Sequence, residues 1–248
     1  MKEVLLSKKK WQLQFCLAFF LFLLICILQT WTNLDIDFQR LWYNESTRKW
    51  WLTPEEFEAT RWLWYGGAKK AISIFAGVCA FILFLSFFVQ KVKIWRKGMV
   101  LLLLSLLFVP LLVGAGKKIA NVYCPNQVVE FNGTYEQHRI FELLGEDKAA
   151  YRHARCFPAG HCSGGYALMM LFFALPYPRY RYLGLLIGLT IGSLMGGYQI
   201  VRGEHFLFDT LATICFAWMI NLIIVYFVEK FRHILKLEDS PALMDFSH

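Results

Sequence analysis

Uncharged apolar runs of near-membrane length recur along this chain and leave it few possible folds. Six stand out in 248 residues: Trp11–Thr30, Ala71–Gln90, Met99–Gly114, Gly164–Leu175, Tyr182–Gly197 and Phe206–Val228. A soluble domain of this size could bury one large core, but it has no need of repeated runs near ~20 residues. Composition agrees, with 57% apolar residues and a mean hydropathy of +0.44. The expected fold is all-α, a six-transmembrane-helix bundle with outward-facing loops. It forms one integral membrane domain over residues 1–236, followed by a short mobile tail over 237–248. The fourth run is short and is expected to begin near His161. The first is too long for a signal-peptide core and has no small-residue cleavage site after it, so it is read as a retained helix.

Basic residues orient these spans. They cluster before the first (Lys2, Lys8, Lys9, Lys10), between the second and third (Lys91, Lys93, Arg96, Lys97), between the fourth and fifth (Arg179, Arg181), and after the sixth (Lys230, Arg232, Lys236). With six crossings all four clusters fall on one side, which the positive-inside bias makes cytoplasmic. Segments 31–70 and 115–160 and the turn near 198–205 then face outward, with both termini cytoplasmic. This loop bias accounts for most of the net charge of +8. No basic tract interleaved with aromatics suggests nucleic acid as a partner.

The first outer segment carries Trp31, Trp42, Trp50, Trp51, Trp62 and Trp64 among several acids. Tryptophan at that density suits an amphipathic stretch at the headgroup level, as an interface anchor or a lipid-binding platform. Thr53-Pro-Glu-Glu56 is a helix start, with Thr53 as N-cap and Glu56 closing a capping box. Cys16, Cys26, Cys79 and Cys215 lie within apolar spans and read as core fillers.

Three outward-facing elements carry ionisable groups. Arg202-Gly-Glu-His205-Phe-Leu-Phe-Asp209 opens the sixth span, and a four-residue spacing lets Asp209 orient His205 on one helical face. A histidine so held is a nucleophile candidate, and Arg202 is close enough to clamp a phosphate. Pro158-Ala-Gly-His161 is a turn into a helix, where free N–H groups such as that of Gly160 could hold an anion and His161 could act as general acid. Lys117-Lys118 closes the third span against the charge bias, as a snorkelling pair or as a ligand for an anion. Each element alone is also explained by a capping or interface role.

Together the three resemble the type 2 phosphatidic acid phosphatase superfamily of membrane lipid phosphatases and phosphotransferases. Its signature runs Lys-x6-Arg-Pro, then Pro-Ser-Gly-His, then Ser-Arg-x5-His-x3-Asp. Lys117 stands at the lysine, six residues before Cys124-Pro125. Pro158, Gly160 and His161 match the second motif, and His205 and Asp209 match the third. Cys124 departs from the usual arginine, Ala159 from the serine, and Tyr198-Gln199 from Ser-Arg. Arg202, one turn from Gln199, is placed to replace one missing arginine, and Arg155 or Arg152 the other. This variant set looks like a recurrent bacterial subgroup. Asn33-Leu-Asp-Ile-Asp37 followed by Leu41-Trp-Tyr-Asn44 also resembles the start of lipid A phosphatase-like members.

The resemblance implies attack by His205 on phosphorus, protonation of the leaving oxygen by His161, and orientation by Asp209. Lys117, Arg202, Gln199, Arg155, Arg152 and the Gly160 N–H would hold the phosphate. Fixed cations supply the charge, so no metal or other cofactor is expected. The cysteine spacing fits no zinc pattern, and a Cys124/Cys156/His161/Cys162 cluster would consume the acid. A Cys124–Cys156 disulfide would instead tie the first catalytic loop to the second in an oxidising compartment. The expected partners are membrane lipids and a lipid phosphate or diphosphate substrate, with no obligate protein partner. The expected place is a bacterial inner membrane with the site on its periplasmic face. A lipid-to-lipid phosphotransferase and a non-catalytic lipid-binding or transport protein remain open. A reporter fused after Lys97 or Arg181 should read cytoplasmic, and one placed between Lys148 and Arg152 outward. A cytoplasmic signal from the 115–160 segment would reverse the orientation.

Overall fold

Ser7 accepts a hydrogen bond from the Lys10 N–H at 3.3 Å and so caps the first long helix, α1 (Lys8–Trp31). The computed structural model describes residues 6–120, 122–140, 154–235, 237 and 244–245. After α1 come α2 (Leu34–Arg40), a two-residue hairpin pairing Tyr43–Asn44 with Lys49–Trp50, and α3 (Pro54–Arg61). A π-helical turn at Trp62–Gly67 leads into α4 (Ala68–Leu85), and a 3-10 turn at Gln90–Trp95 leads into α5 (Arg96–Ala120). The chain then forms α6 (Ser163–Ala167), α7 (Leu171–Ala174), α8 (Arg181–Ile200) and α9 (Leu207–Lys230).

Among the described residues, 5 helical runs are long and apolar enough to cross a membrane: Lys8–Trp31, Ala68–Leu85, Gln90–Gln127, Pro178–Ile200 and Leu207–Lys230. Their outward faces are apolar. On α1, Leu13, Leu17, Phe20 and Leu24 recur at helical spacing and are exposed, while Ala18, Cys26 and Gln29 turn inward. An apolar stripe of that extent is stable against lipid, not water. The protein is thus an all-α, multi-pass membrane protein.

The fourth expected span differs from the other five. Ser163–Ala174 is a short apolar stretch broken by a 3-10 turn at Leu168–Met170. Its length of roughly 20 Å falls short of the ~30 Å hydrocarbon layer. It nevertheless runs beside α5 from end to end. Gly160 lies against Lys117 above it, and Ala174 against Gly98 below. Protein surrounds it, with Tyr166, Ala167, Met169 and Met170 all buried. Irregular backbone is tolerated at membrane depth where it is enclosed by protein.

A glycine face on α8 makes that enclosure possible. Gly184, Gly188 and Gly192 recur every four residues and share one side of the helix. A Cβ on Gly192 would overlap the Tyr166 ring, and one on Gly188 the Met169 backbone nitrogen. Small residues let α8 and the buried segment approach at backbone distance.

The two ends of the bundle carry different chemistry. At one, Lys97 pairs with buried Glu229 at 2.6 Å, Arg232 pairs with Glu229 at 2.8 Å, and Arg181 is buried. At the other, α2 packs on α9 and α1, and Gln39 of α2 and Leu52 after the hairpin bond to Ile200 and Val201 at the end of α8. Thr53 and Glu56 make the capping box, with the Thr53 N–H donating to Oε2 at 2.9 Å. The tryptophans divide. Trp31, Trp51 and Trp62 are exposed, as headgroup anchors would be, whereas Trp50 packs between Tyr43 and Phe131 at ring distances of 4.9 and 5.3 Å. Trp50 therefore supports a protein loop instead of meeting lipid. Cys26 and Cys79 are buried as expected, but Cys16 is exposed on the outer face of α1. In the tail, Leu237 is buried and Met244–Asp245 pairs in parallel with Leu6–Ser7. The remaining tail positions lie outside the described residues.

Gly188→Val should destabilise the protein by roughly 1–3 kcal/mol, because the obstructing atoms are backbone and cannot rotate away. Gly77→Ala, whose added methyl meets nothing within 4 Å, is the control. Thermal unfolding in detergent measures both, and equal Tm values would refute the close-approach account.

Candidate active site

Short backbone hydrogen bonds draw the three sequence motifs together at the end away from the buried Lys97–Glu229 pair. The Cys156 N–H donates to the Val122 carbonyl at 2.8 Å, and the Ala159 N–H to the Asp209 carbonyl at 3.1 Å. The Asn126 N–H donates to the Gly203 carbonyl at 2.8 Å, and the Thr213 hydroxyl to the Ala159 carbonyl at 3.1 Å. Gly203 has φ +77°, and any side chain there would strike the Trp50 indole. A glycine is needed both for the turn and for the space.

His205 is nearly fully buried just ahead of α9. Its Nδ1 lies 3.3 Å from Asp209 Oδ2, which also accepts the Phe206 N–H at 3.0 Å. The other Asp209 oxygen accepts from Gln29 Nε2 of α1 at 3.3 Å. Asp209 occupies the first turn of α9, where the helix dipole favours negative charge. Asp209 thus engages Nδ1 and not Nε2 of the ring.

The His161 ring stands 5.6 Å from that of His205, centroid to centroid. Burial pushes His161 down to about 3, helped by His205, Lys117, Lys69 and Arg202. Burial also lowers His205, against the opposing pull of Asp209. Both imidazoles are therefore neutral at neutral pH in the free protein. Lys117 runs alongside Gly160: a Cβ there would lie 2.9 Å from its Cε and 3.3 Å from its Nζ.

Gln199 and Arg202 do share a face, and Arg202 donates to Gln199 Oε1 at 3.2 Å. The same guanidinium pairs with Glu204 at 3.0 Å, and the Asn126 amide joins that carboxylate at 3.2 Å. Arg155 is exposed on the loop before His161. Arg152 lies outside the described residues.

Cys124 and Cys156 are joined by a disulfide, with Cα atoms 5.1 Å apart. Cys156 Sγ sits 3.2 Å from His205 Nδ1, so the bridge forms part of the wall behind the histidine. Ligand atoms of Cys124, Cys156 and His205 come within 4.8 Å of one another. Sulfurs bonded to each other are not thiolates, so this grouping is no cation site in the oxidised protein. Cys162 instead turns its thiol to the Ala159 carbonyl at 3.3 Å.

Several participants escaped the sequence reading. Asp35 of α2 is buried and accepts the Phe208 N–H at 3.0 Å, which caps α9 from a distant part of the chain. Burial and the nearby Asp209 hold its carboxyl well above the usual range. Gln39, also on α2, donates to the Ile200 carbonyl at 2.8 Å and fixes the end of α8. The only signal for these residues was their place in the segment beginning Asn33-Leu-Asp, which carries the weaker of the two family resemblances.

The PAP2 superfamily model matches residues 98–233, which is more than half of the chain and contains all three motifs. No curated relative and no solved structure matches. By that match, and by a multi-pass helical fold with its motif residues gathered at one end, the chain belongs to the PAP2 superfamily, a family of phosphatases and phosphotransferases.

Proposed function

We propose that this protein is a metal-independent lipid phosphatase that works through a phosphohistidine at the outer face of a bacterial inner membrane. The observation that carries this reading is the His205 ring, held at Nδ1 by Asp209 at 3.3 Å, with a second imidazole 5.6 Å away. In the first step the Nε2 lone pair of His205 attacks phosphorus and the bond to the lipid oxygen breaks. His161 takes the proton that the bound phosphate monoanion brings and passes it to that oxygen. The new charge on His205 is shared with Asp209 through the Nδ1–H. In the second step water attacks the phosphohistidine, His161 takes the water proton, and phosphate leaves with His205 restored.

Lys117 and Arg202 are the cations assigned to the equatorial oxygens, together with the Gly160 N–H. Glu204 shares Arg202 and would keep its fork aimed while no substrate is bound. An apolar cavity of about 290 Å³, lined in part by Phe22, Leu23, Gly116, Ile119 and Pro158, borders the site and gives an acyl chain a seat. The opposite end of the bundle carries the basic clusters, which supports an outward-facing site. Undecaprenyl diphosphate, lipid A, phosphatidylglycerol phosphate and phosphatidic acid are the candidate substrates. An acceptor lipid in place of water would make the same chemistry a phosphotransfer.

His205→Ala and His161→Ala should each lower phosphate release by at least about a hundredfold with little change in folding. Arg202→Lys and Arg202→Ala should both lose ~2 kcal/mol or more of transition-state stabilisation, because an ammonium cannot fork onto phosphate. Near-normal release by either histidine variant removes the mechanism, and a wild type that releases no phosphate favours a non-catalytic lipid binder.

A neutral His161 also fixes the pH dependence. Pushed down to about 3, it is a neutral imidazole in the free protein, with no imidazolium proton to give, so the proton for the leaving oxygen is expected to arrive on the substrate. A phosphate monoanion brings one, and loses it above its second pKa of about 6. kcat/KM should therefore fall as pH rises through the substrate's own second ionisation. That limb should move to lower pH for a more acidic phosphate ester. A limb at one pH for all esters would assign the proton to the protein instead.

A further inference from the structure

Two lysine pairs sit at the site end of neighbouring helices. Lys117-Lys118 closes α5, and Lys69-Lys70 opens α4 at the same end. The mechanism above uses only Lys117. Lys69 lies one turn before Ile72 on the same face of α4, and Ile72 is the side chain that a Cβ on Gly164 would meet, at 3.4 Å. Helices α4 and α6 both lead away from the site. Stepping back three residues from Ile72 and from Gly164 therefore brings Lys69 level with His161. The cations acting on His161 are accordingly Lys117, Lys69 and Arg202. His205 faces His161 from the α9 flank, and Lys69 from the α4 flank.

In an in-line displacement the nucleophile and the leaving oxygen stand on opposite sides of phosphorus. His205 defines the nucleophile side, and His161, as proton donor, the leaving side. Lys69 borders the leaving side, beyond the three equatorial oxygens already assigned to Lys117, Arg202 and Gly160. A single phosphate on a neutral glyceride puts no charge there. We propose that Lys69 is a specificity-determining residue that holds a second anionic group on the leaving side of the scissile phosphate. Lipids with two neighbouring anionic groups, either a diphosphate or a phosphate beside a phosphodiester, are then the preferred substrates. The inference rests on the phosphatase reading above and adds no step to it. A leaving phosphate is also far less basic than an alkoxide, so it suits an acid that the site keeps neutral.

The test measures kcat/KM of the full-length protein in detergent for undecaprenyl diphosphate, phosphatidylglycerol phosphate and phosphatidic acid. The proteins compared are wild type, Lys69→Ala, Lys69→Arg and Lys70→Ala. In Lys69→Ala the ratio of a two-anion lipid to phosphatidic acid should fall at least about tenfold, mainly through KM, as expected for loss of a charge-assisted contact. Lys69→Arg should restore it and Lys70→Ala should leave it alone. A change confined to the diphosphate identifies a second phosphate as the ligand, and one confined to phosphatidylglycerol phosphate identifies the phosphodiester. A ratio unmoved in Lys69→Ala, or lost equally in Lys70→Ala, overturns this inference and leaves the phosphatase reading intact. Wild-type protein that releases phosphate from none of the three overturns both.

Discussion

A carboxyl group placed out of reach of water at the start of α9 organises this protein. Asp209 is fully buried, and burial of such a group is tolerated only when donors surround it. They come from separate parts of the chain: the Phe206 N–H from its own helix, the Gln29 amide from α1, and the His205 ring from the preceding turn. Its backbone carbonyl accepts from Ala159 on the His161 loop. The group that holds the His205 ring thus also sets how α1, α9 and the second motif loop meet. Trp11 donates to the Leu222 carbonyl at 2.9 Å, which secures the same α1–α9 pair far from the site.

Helix α2 works as a clamp on that arrangement. Asp35 holds the start of α9 and Gln39 holds the end of α8, so seven residues fix both sides of the turn that carries Arg202 and His205. Burial and the neighbouring Asp209 both push the Asp35 carboxyl up, since two adjacent buried carboxylates resist ionising together. Trp50, Tyr43 and Phe131 pack beneath the turn and leave no room for a side chain at Gly203. The tryptophan-rich segment is in this sense partly exposed surface and partly support for the turn that carries His205.

Where the motifs depart from the family pattern, the substituted positions have partners of their own. A disulfide stands where an arginine is usual, and its Cys156 sulfur backs the His205 ring. Gln199 cannot bring a positive charge, but it meets Arg202 one turn on, and Glu204 shares the guanidinium.

Local periodicity and local chemistry were readable in the chain itself. Runs such as Trp11–Thr30 declare a helix because lipid demands one, and the spacings of Gln199 to Arg202 and His205 to Asp209 hold within one turn of a helix or its cap. The capping box at Thr53 was legible for the same reason. The fourth crossing was only half legible: its solvent is other protein, so its length no longer has to match the bilayer, and it could shorten and break at Leu168–Met170. Trp50 was misplaced because composition cannot tell a lipid-facing indole from one packed under a loop. Asp35 lies 173 residues from the N–H it caps, and Gln29 180 residues from the carboxyl it holds. Lys69 comes level with His161 only through the packing of α4 on α6. Contacts across such separations leave no periodic trace in a sequence, because they are decided by how the helices pack, and packing is a property of the whole bundle.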